Sequence, residues 1–162
     1  MKGKNKKKEL ILVLDNIRSN FNVGSIFRIA DCAGIKKIYL GGITPSPKDR
    51  FGRDNNELKK VSLGAENSVS WKNVSSVLQT ISMLKKEGFE IVSLEQDKAS
   101  VDYKKYKITD RTALIIGSEI LGVDKKILKK SDRILEIKME GKKESLNVAV
   151  AAGITVFRLL NV

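Results

Sequence analysis

Histidine is missing from this chain altogether, cysteine occurs once, at Cys32, and proline only twice. Without histidine or a second cysteine, the usual zinc sets, an internal disulfide, imidazole acid–base chemistry and any Ser-His-Asp arrangement are excluded. Long apolar runs are missing too. Nothing approaches the roughly 20 residues that cross a bilayer, and residues 10–14, the apolar run after a basic start, are too short for the core of a secretion signal. The expectation is a cytoplasmic protein with no membrane association and no metal. Two glycine signatures are also absent. No G-x-G-x-x-G follows an apolar run, and "GSEILG" lacks the Lys-Ser/Thr of a P-loop, so an ordinary dinucleotide enzyme or nucleoside triphosphatase is not expected.

Acidic residues are scarce: 19 Asp and Glu stand against 31 Lys and Arg, a net charge of +12. The first nine residues, "MKGKNKKKE", hold five lysines and Glu9 and read as a disordered electrostatic arm, which leaves +8 on the rest of the chain. An excess of this size in one small domain favours a polyanionic partner, nucleic acid above all. The 162 residues suffice for one domain with a real core and are too few for two ordinary ones, so the domain is expected over 10–162.

What is present alternates between apolar runs and helical spacings. "ELILVLD" (9–15), "KKIYLGG" (36–42), "FEIVSLE" (89–95), "TALIIGSE" (112–119) and "RILEIKM" (133–139) read as strands. Residues 22–34, 74–86, 124–130 and 145–160 read as helices, and the charged stretch 43–66, with both prolines, as a long and partly helical connection. Cys32, among Ile29, Ala30 and Ala33, is expected to be a buried thiol. The last helix has no continuous polar face, which predicts burial within the domain or against another subunit, with Ser145 at its cap. This alternation predicts an α/β domain with a mainly parallel sheet and helices on both faces. In such sheets ligands sit beyond the carboxyl ends of the strands. Three loops placed there are rich in polar residues: "DNIRSNFNVGS", "GSEILGVD" and "MEGKKESLN".

"NFNVGSIFRIADCAG", "ALIIGSEILGV" and "ILEIKMEGKKESLNVAVAAGI" together resemble the three ordered motifs of the SpoU-type RNA ribose 2′-O-methyltransferases of the SPOUT superfamily. The pattern is roughly N-x-G-x-x-x-R, then G-x-E-x-x-G, then I-x-M with S-L-N, and "KKVSLGAENSV" resembles the segment between the first two. The resemblance implies a C-terminal deep trefoil knot, a homodimer and S-adenosyl-L-methionine as methyl donor. By position it implies Arg28 as the catalytic arginine, with Asn22, Glu119, Ser145 and Asn147 completing a polar wall. Gly117, Ile137 and Leu146 match the cofactor positions, and Met139 and the end of the 89–95 strand, Ser93 and Leu94, would line the same pocket. Arg18 and Asn20, in the first loop, would contact RNA phosphate.

The chain resembles the minimal form of these enzymes, in which tRNA is the favoured substrate. Ribosomal RNA, a non-catalytic RNA-binding role and a small-molecule transferase of the same fold class remain the alternatives.

Overall fold

A computed structural model describes residues 8–162. The arm expected over 1–9 therefore lies outside the described residues apart from its last two, and Glu9 is already the first residue of a strand. Seven strands form one sheet: β1 (Glu9–Asp15), β2 (Lys37–Gly41), β3 (Ser70–Val74), β4 (Glu90–Leu94), β5 (Val101–Asp102), β6 (Arg111–Ile116) and β7 (Arg133–Glu136). Their order is β3-β2-β1-β6-β4-β7-β5, and each of these neighbours pairs in parallel. The helices are α1 (Asn20–Cys32), α2 (Asn56–Ser62), α3 (Ala65–Ser68), α4 (Val77–Lys86), α5 (Lys125–Leu128) and α6 (Val148–Leu160).

The alternation of side chains along β1 explains the layering. Leu10, Leu12 and Leu14 point into one core with Ile26, Phe27 and Ala30 of α1 and Ala152 and Val156 of α6. Ile11 and Val13 point into a second core with Val77, Ile81 and Leu84 of α4 and Ile127 of α5. A strand covered on both faces needs an unbroken apolar run, which is what "LILVL" supplies. The α/β class, the parallel sheet and the helices on both faces are all present as the sequence predicts.

Several boundaries differ, each for a local reason. β3, "SWKNV", is not expected as a strand from its sequence. It is an edge strand whose residues stay exposed or half-buried, so it carries no apolar signature. The helix expected from residue 74 starts at Val77, because Ser76 accepts from the Gln79 amide as its N-cap, and Val74 closes β3. β5 has two residues, too few for a readable period. β7 ends at Glu136, so Ile137 and Met139 belong to the following loop.

Two further expectations are corrected. The last helix begins at Val148 with Asn147, not Ser145, as its N-cap, since the Asn147 Oδ1 accepts from the amides of Ala149 and Val150. Cys32 is exposed rather than buried. It falls about 160° round α1 from Ala30 by helical geometry, on the stripe opposite the core.

The outer faces of the paired helices α1 and α6 remain open. On α6, Val150, Ile154 and Phe157 keep 50%, 38% and 38% of their surface exposed, and Phe21 on α1 keeps 63%. Ile29 of α1 sits against Gly153 of α6, where an added Cβ would come within 3.3 Å of its Cδ1, so the two helices form one layer whose open side is apolar along α6 and at Phe21, with Arg28 and Asp31 exposed on α1. Among the described residues no helix is long and apolar enough to cross a membrane, and no group of three or more His, Cys, Asp or Glu is placed to hold a metal ion.

Candidate active site

Three loops leave the carboxyl ends of β4, β6 and β7 and are fastened to one another. After β6 the chain folds back on itself: the Ser118 amide donates to the Gly122 carbonyl at 3.1 Å and the Gly122 amide to the Ser118 carbonyl at 2.9 Å. The turn depends on two glycines. A Cβ on Gly117 would lie 2.3 Å from the Gly122 carbonyl carbon, and Gly122 has φ +67°. After β4, Glu95 accepts from the Val123 amide at 2.8 Å, tying this loop to the β6 loop. Gln96 donates its side-chain amide to the Glu144 carbonyl at 2.7 Å, tying it to the loop before α6.

Between these loops lies a cleft of about 240 Å³. Leu94, Ile137, Met139, Leu146 and Val148 supply apolar walls, Gly117 contributes bare backbone, and Ser118 and Ser145 contribute hydroxyls. Among the described residues the charged lining is wholly acidic, Glu95, Glu119 and Glu136, with no lysine or arginine. In a chain of net charge +12 this is a marked local reversal of sign.

One side of the cleft ends in a directed chain of hydrogen bonds. Because the Asn147 Oδ1 is committed to capping α6, its Nδ2 faces outward and donates to the Asn22 Oδ1 at 3.0 Å. Asn22, only 6% exposed, therefore presents its own Nδ2 to the Glu119 Oε1 at 2.9 Å. Glu119 also accepts from the amides of Arg18 at 3.0 Å and Ser19 at 3.1 Å. Partial burial pushes the Glu119 carboxyl upward, but the donors from Arg18, Asn22 and Ser19 outweigh it and hold the group below its ordinary range, so it is ionised. The oxygen and nitrogen of both asparagine amides follow from this chain.

The structure thus brings together in the cleft Leu94, Gly117, Glu119, Ile137, Met139, Ser145 and Leu146, with Asn22 and Asn147 bonded to its edge. Four expected residues stand elsewhere. Arg28 is exposed on α1, about 9 Å along the axis from Asn22 and about 120° round it, and does not line the cleft of its own chain. Among the described residues nothing bonds to its guanidinium. Asn20 donates to Glu57 at 2.7 Å and accepts from Asn55 at 2.8 Å, so it joins α1 to the start of α2. Arg18 is exposed beside a separate hollow on the other side of the β6 loop, shared with Asp15, Asn16, Ile43 and Leu121. Ser93 is fully buried and hydrogen-bonded to Ser131 at 2.7 Å, so it contributes nothing to the lining.

Glu95, Gln96 and Glu136 are not singled out by the sequence. The available signal for Glu95 and Gln96 is position, where an apolar strand gives way to polar residues at a carboxyl end; Glu136 falls inside the strand expected over 133–139, so this signal misses it.

An open parallel α/β sheet with a cleft over its carboxyl ends, walled by backbone and apolar side chains, has its hollow where sheets of this class bind small molecules. The SpoU rRNA Methylase family pattern matches residues 9–157, and the chain belongs to that family. It is 35% identical over 147 residues to the 23S rRNA (guanosine-2'-O-)-methyltransferase RlmB of Escherichia coli K12, covering 91% of this chain and 58% of that protein. Over 152 residues it is 29% identical to the tRNA (guanosine(18)-2'-O)-methyltransferase of Aquifex aeolicus, covering 94% of this chain and 69% of that one. Among solved structures, the AdoMet-bound rRNA methyltransferase from Sinorhizobium meliloti superposes with a TM-score of 0.86 at 26% identity, over 96% of this chain and 57% of that one. The chain therefore spans somewhat more than half the length of its Escherichia coli relative.

Proposed function

We propose that this protein transfers a methyl group from S-adenosyl-L-methionine to a ribose 2′-hydroxyl of a structured RNA, with tRNA as the substrate. The observation that carries the cofactor assignment is the sign of the cleft. Its three glutamates, with no lysine or arginine beside them among the described residues, suit a small ligand bearing a sulfonium and an ammonium, while the apolar walls and bare backbone at Gly117 suit a flat heterocycle. The surrounding +12 chain suits a polyphosphate substrate. The name of the Escherichia coli relative favours rRNA as a second reading, and that of the Aquifex aeolicus relative favours tRNA.

The bound donor supplies an already activated methyl group, so the protein's tasks are positioning and charge stabilisation. Asn147 and Asn22, locked by their hydrogen bonds, set the orientation of Glu119 at the edge of the cleft. The ionised Glu119 is an acceptor for a ribose hydroxyl or for an incoming cation. Ser145 and Leu146 close the other side. Arg28 serves by holding an RNA phosphate and stabilising the developing 2′-oxyanion, with the hydroxyl proton passing to phosphate or water.

Since Arg28 stands away from its own cleft, we place it at the joint between two copies. The open face of α1 and α6 is the surface on which a homodimer would form, and Arg28 lies on the outer stripe of α1 with Phe21. A trefoil knot formed by the cleft loops belongs to the same reading, as do cytoplasmic residence, which suits the lone exposed Cys32, and a basic arm over 1–9 ahead of a catalytic domain over 10–162.

The test is incubation with labelled S-adenosyl-L-methionine and total RNA, followed by mapping of 2′-O-methyl positions. Arg28→Ala is expected to abolish transfer while the donor still binds. Label on a base, or substantial turnover by Arg28→Ala, would overturn the assignment.

A further inference from the structure

The loop between β2 and α2 carries a feature that the cleft does not use. Residues 48–54 fold into a small closed tip: Lys48 and Asp54 form an antiparallel bridge, the Asp49 amide donates to the Arg53 carbonyl at 2.9 Å, and Gly52, at φ +78°, donates to the Asp49 carbonyl at 3.0 Å. The Asp49 carboxylate fills the turn. One oxygen accepts from the amides of Phe51 at 2.8 Å and Arg53 at 3.0 Å, and the other from the Arg53 Nε at 2.7 Å. At the apex stands Phe51, 68% exposed, with the guanidinium carbons of Arg50 and Arg53 at 4.7 and 5.2 Å from its ring centre.

An isolated surface phenylalanine needs no explanation, but this one is held on an ordered turn beside two arginines and still keeps 68% of its surface open. Arg50 and Arg53 flank the ring and Lys48 adds a third cation to the tip, against two carboxylates that are already engaged, Asp49 with Arg53 and Asp54 with Lys59. Flat guanidinium planes beside an exposed ring make a stack to which another flat, electron-rich ring can add, and the same cations attract phosphate. The tip leaves the carboxyl end of β2, the end of the sheet that bears the cleft. Its base is fastened to the start of α1, because Asn55 donates both to the Asn20 side chain at 2.8 Å and to the Ser46 carbonyl at 3.3 Å.

We infer that the Arg50-Phe51-Gly52-Arg53 tip is an RNA-docking element that stacks an unpaired nucleotide of the substrate on Phe51 and holds its flanking phosphates with Arg50 and Arg53. This deepens the proposed function and rests on its RNA substrate. The tip contributes to capture, not to the methyl transfer step. Phe51 selects a flipped or looped base by its ring, and the arginines set the salt dependence.

The experiment compares wild type with Phe51→Ala, Phe51→Leu, Phe51→Trp and the double variant Arg50→Ala/Arg53→Ala. Filter binding of labelled bulk tRNA and of fragmented rRNA is measured beside methyl transfer and binding of S-adenosyl-L-methionine. Phe51→Ala and Phe51→Leu are expected to weaken RNA binding about tenfold. Both should raise the apparent KM for RNA, with kcat and donor affinity unchanged, and Phe51→Trp should retain binding. The arginine pair should flatten the plot of log affinity against log salt by about 0.7 for each phosphate no longer held, whereas Phe51→Ala leaves the slope alone.

RNA binding that is unaffected by Phe51→Ala, or equally strong with leucine, overturns the inference. Wild type that binds RNA through Phe51 yet transfers no methyl group overturns the proposed function and supports this one.

Discussion

At position 147 a single amide does two things at once. Its oxygen caps α6 and its nitrogen orients Asn22, so the start of the last helix and the polar edge of the cleft are set by the same side chain. Asn147→Ala is expected to cost about 1 kcal/mol of stability as a lost cap. It should also weaken donor binding, because Asn22 is then free to turn; thermal unfolding and calorimetric titration read the two effects separately. Glu119 gives a pH test. Its folded-state carboxyl binds a proton less tightly than the ordinary value of 4.5, so its stabilising contribution is present above that value and fades as pH falls through the lowered one. Unfolding of wild type and Glu119→Gln, measured from pH 7 down to about pH 3, should show a wild-type advantage that shrinks on acidification. An advantage that grew at low pH would contradict this assignment.

At the scale of elements, the loop after β6 depends on the absence of a side chain at residue 117. Gly117→Ala drives a methyl group into the Gly122 backbone, and relief requires the 118–122 turn to open. The expected result is a loss of about 1–3 kcal/mol and a large fall in donor affinity, with the far-UV circular dichroism unchanged. At this scale the sequence is legible wherever burial is two-sided. β1 and β6 announce themselves as apolar runs because both of their faces are covered. β3 and β5 are invisible because edge strands carry no such demand, and the start of α6 is misplaced by three residues because Ser145 and Asn147 are both good caps. Cleft-lining positions such as Gly117 and Leu146 come from motif resemblance. Glu95 and Gln96, which act by fastening loops across the sheet, have partners far away in sequence, and no local pattern encodes that.

For the whole molecule, the distribution of charge and apolar surface decides what it can assemble with. Ile154→Glu with Phe157→Glu puts carboxylates on the open face of α1 and α6, and sedimentation should then find a monomer with little transfer activity. Mixing Arg28→Ala with Asn147→Ala chains tests whether the arginine serves the opposite copy. If it does, each mixed dimer keeps one intact site and up to about a quarter of wild-type activity returns; if it serves its own copy, none does. The separation of Arg28 from the cleft is not legible from spacing alone: six residues on a helix look close in sequence, yet they place the side chain on a different face.

The side chains of Glu95 and Gln96 also have a kinetic meaning. By linking three segments that are remote along the chain, they make opening of any one loop disturb the others, so the segments should fluctuate as one unit. Amide hydrogen exchange in residues 95–98, 117–123 and 137–147 should therefore slow together when the donor binds. Gln96→Ala should release the last segment from this shared behaviour while the first two stay coupled.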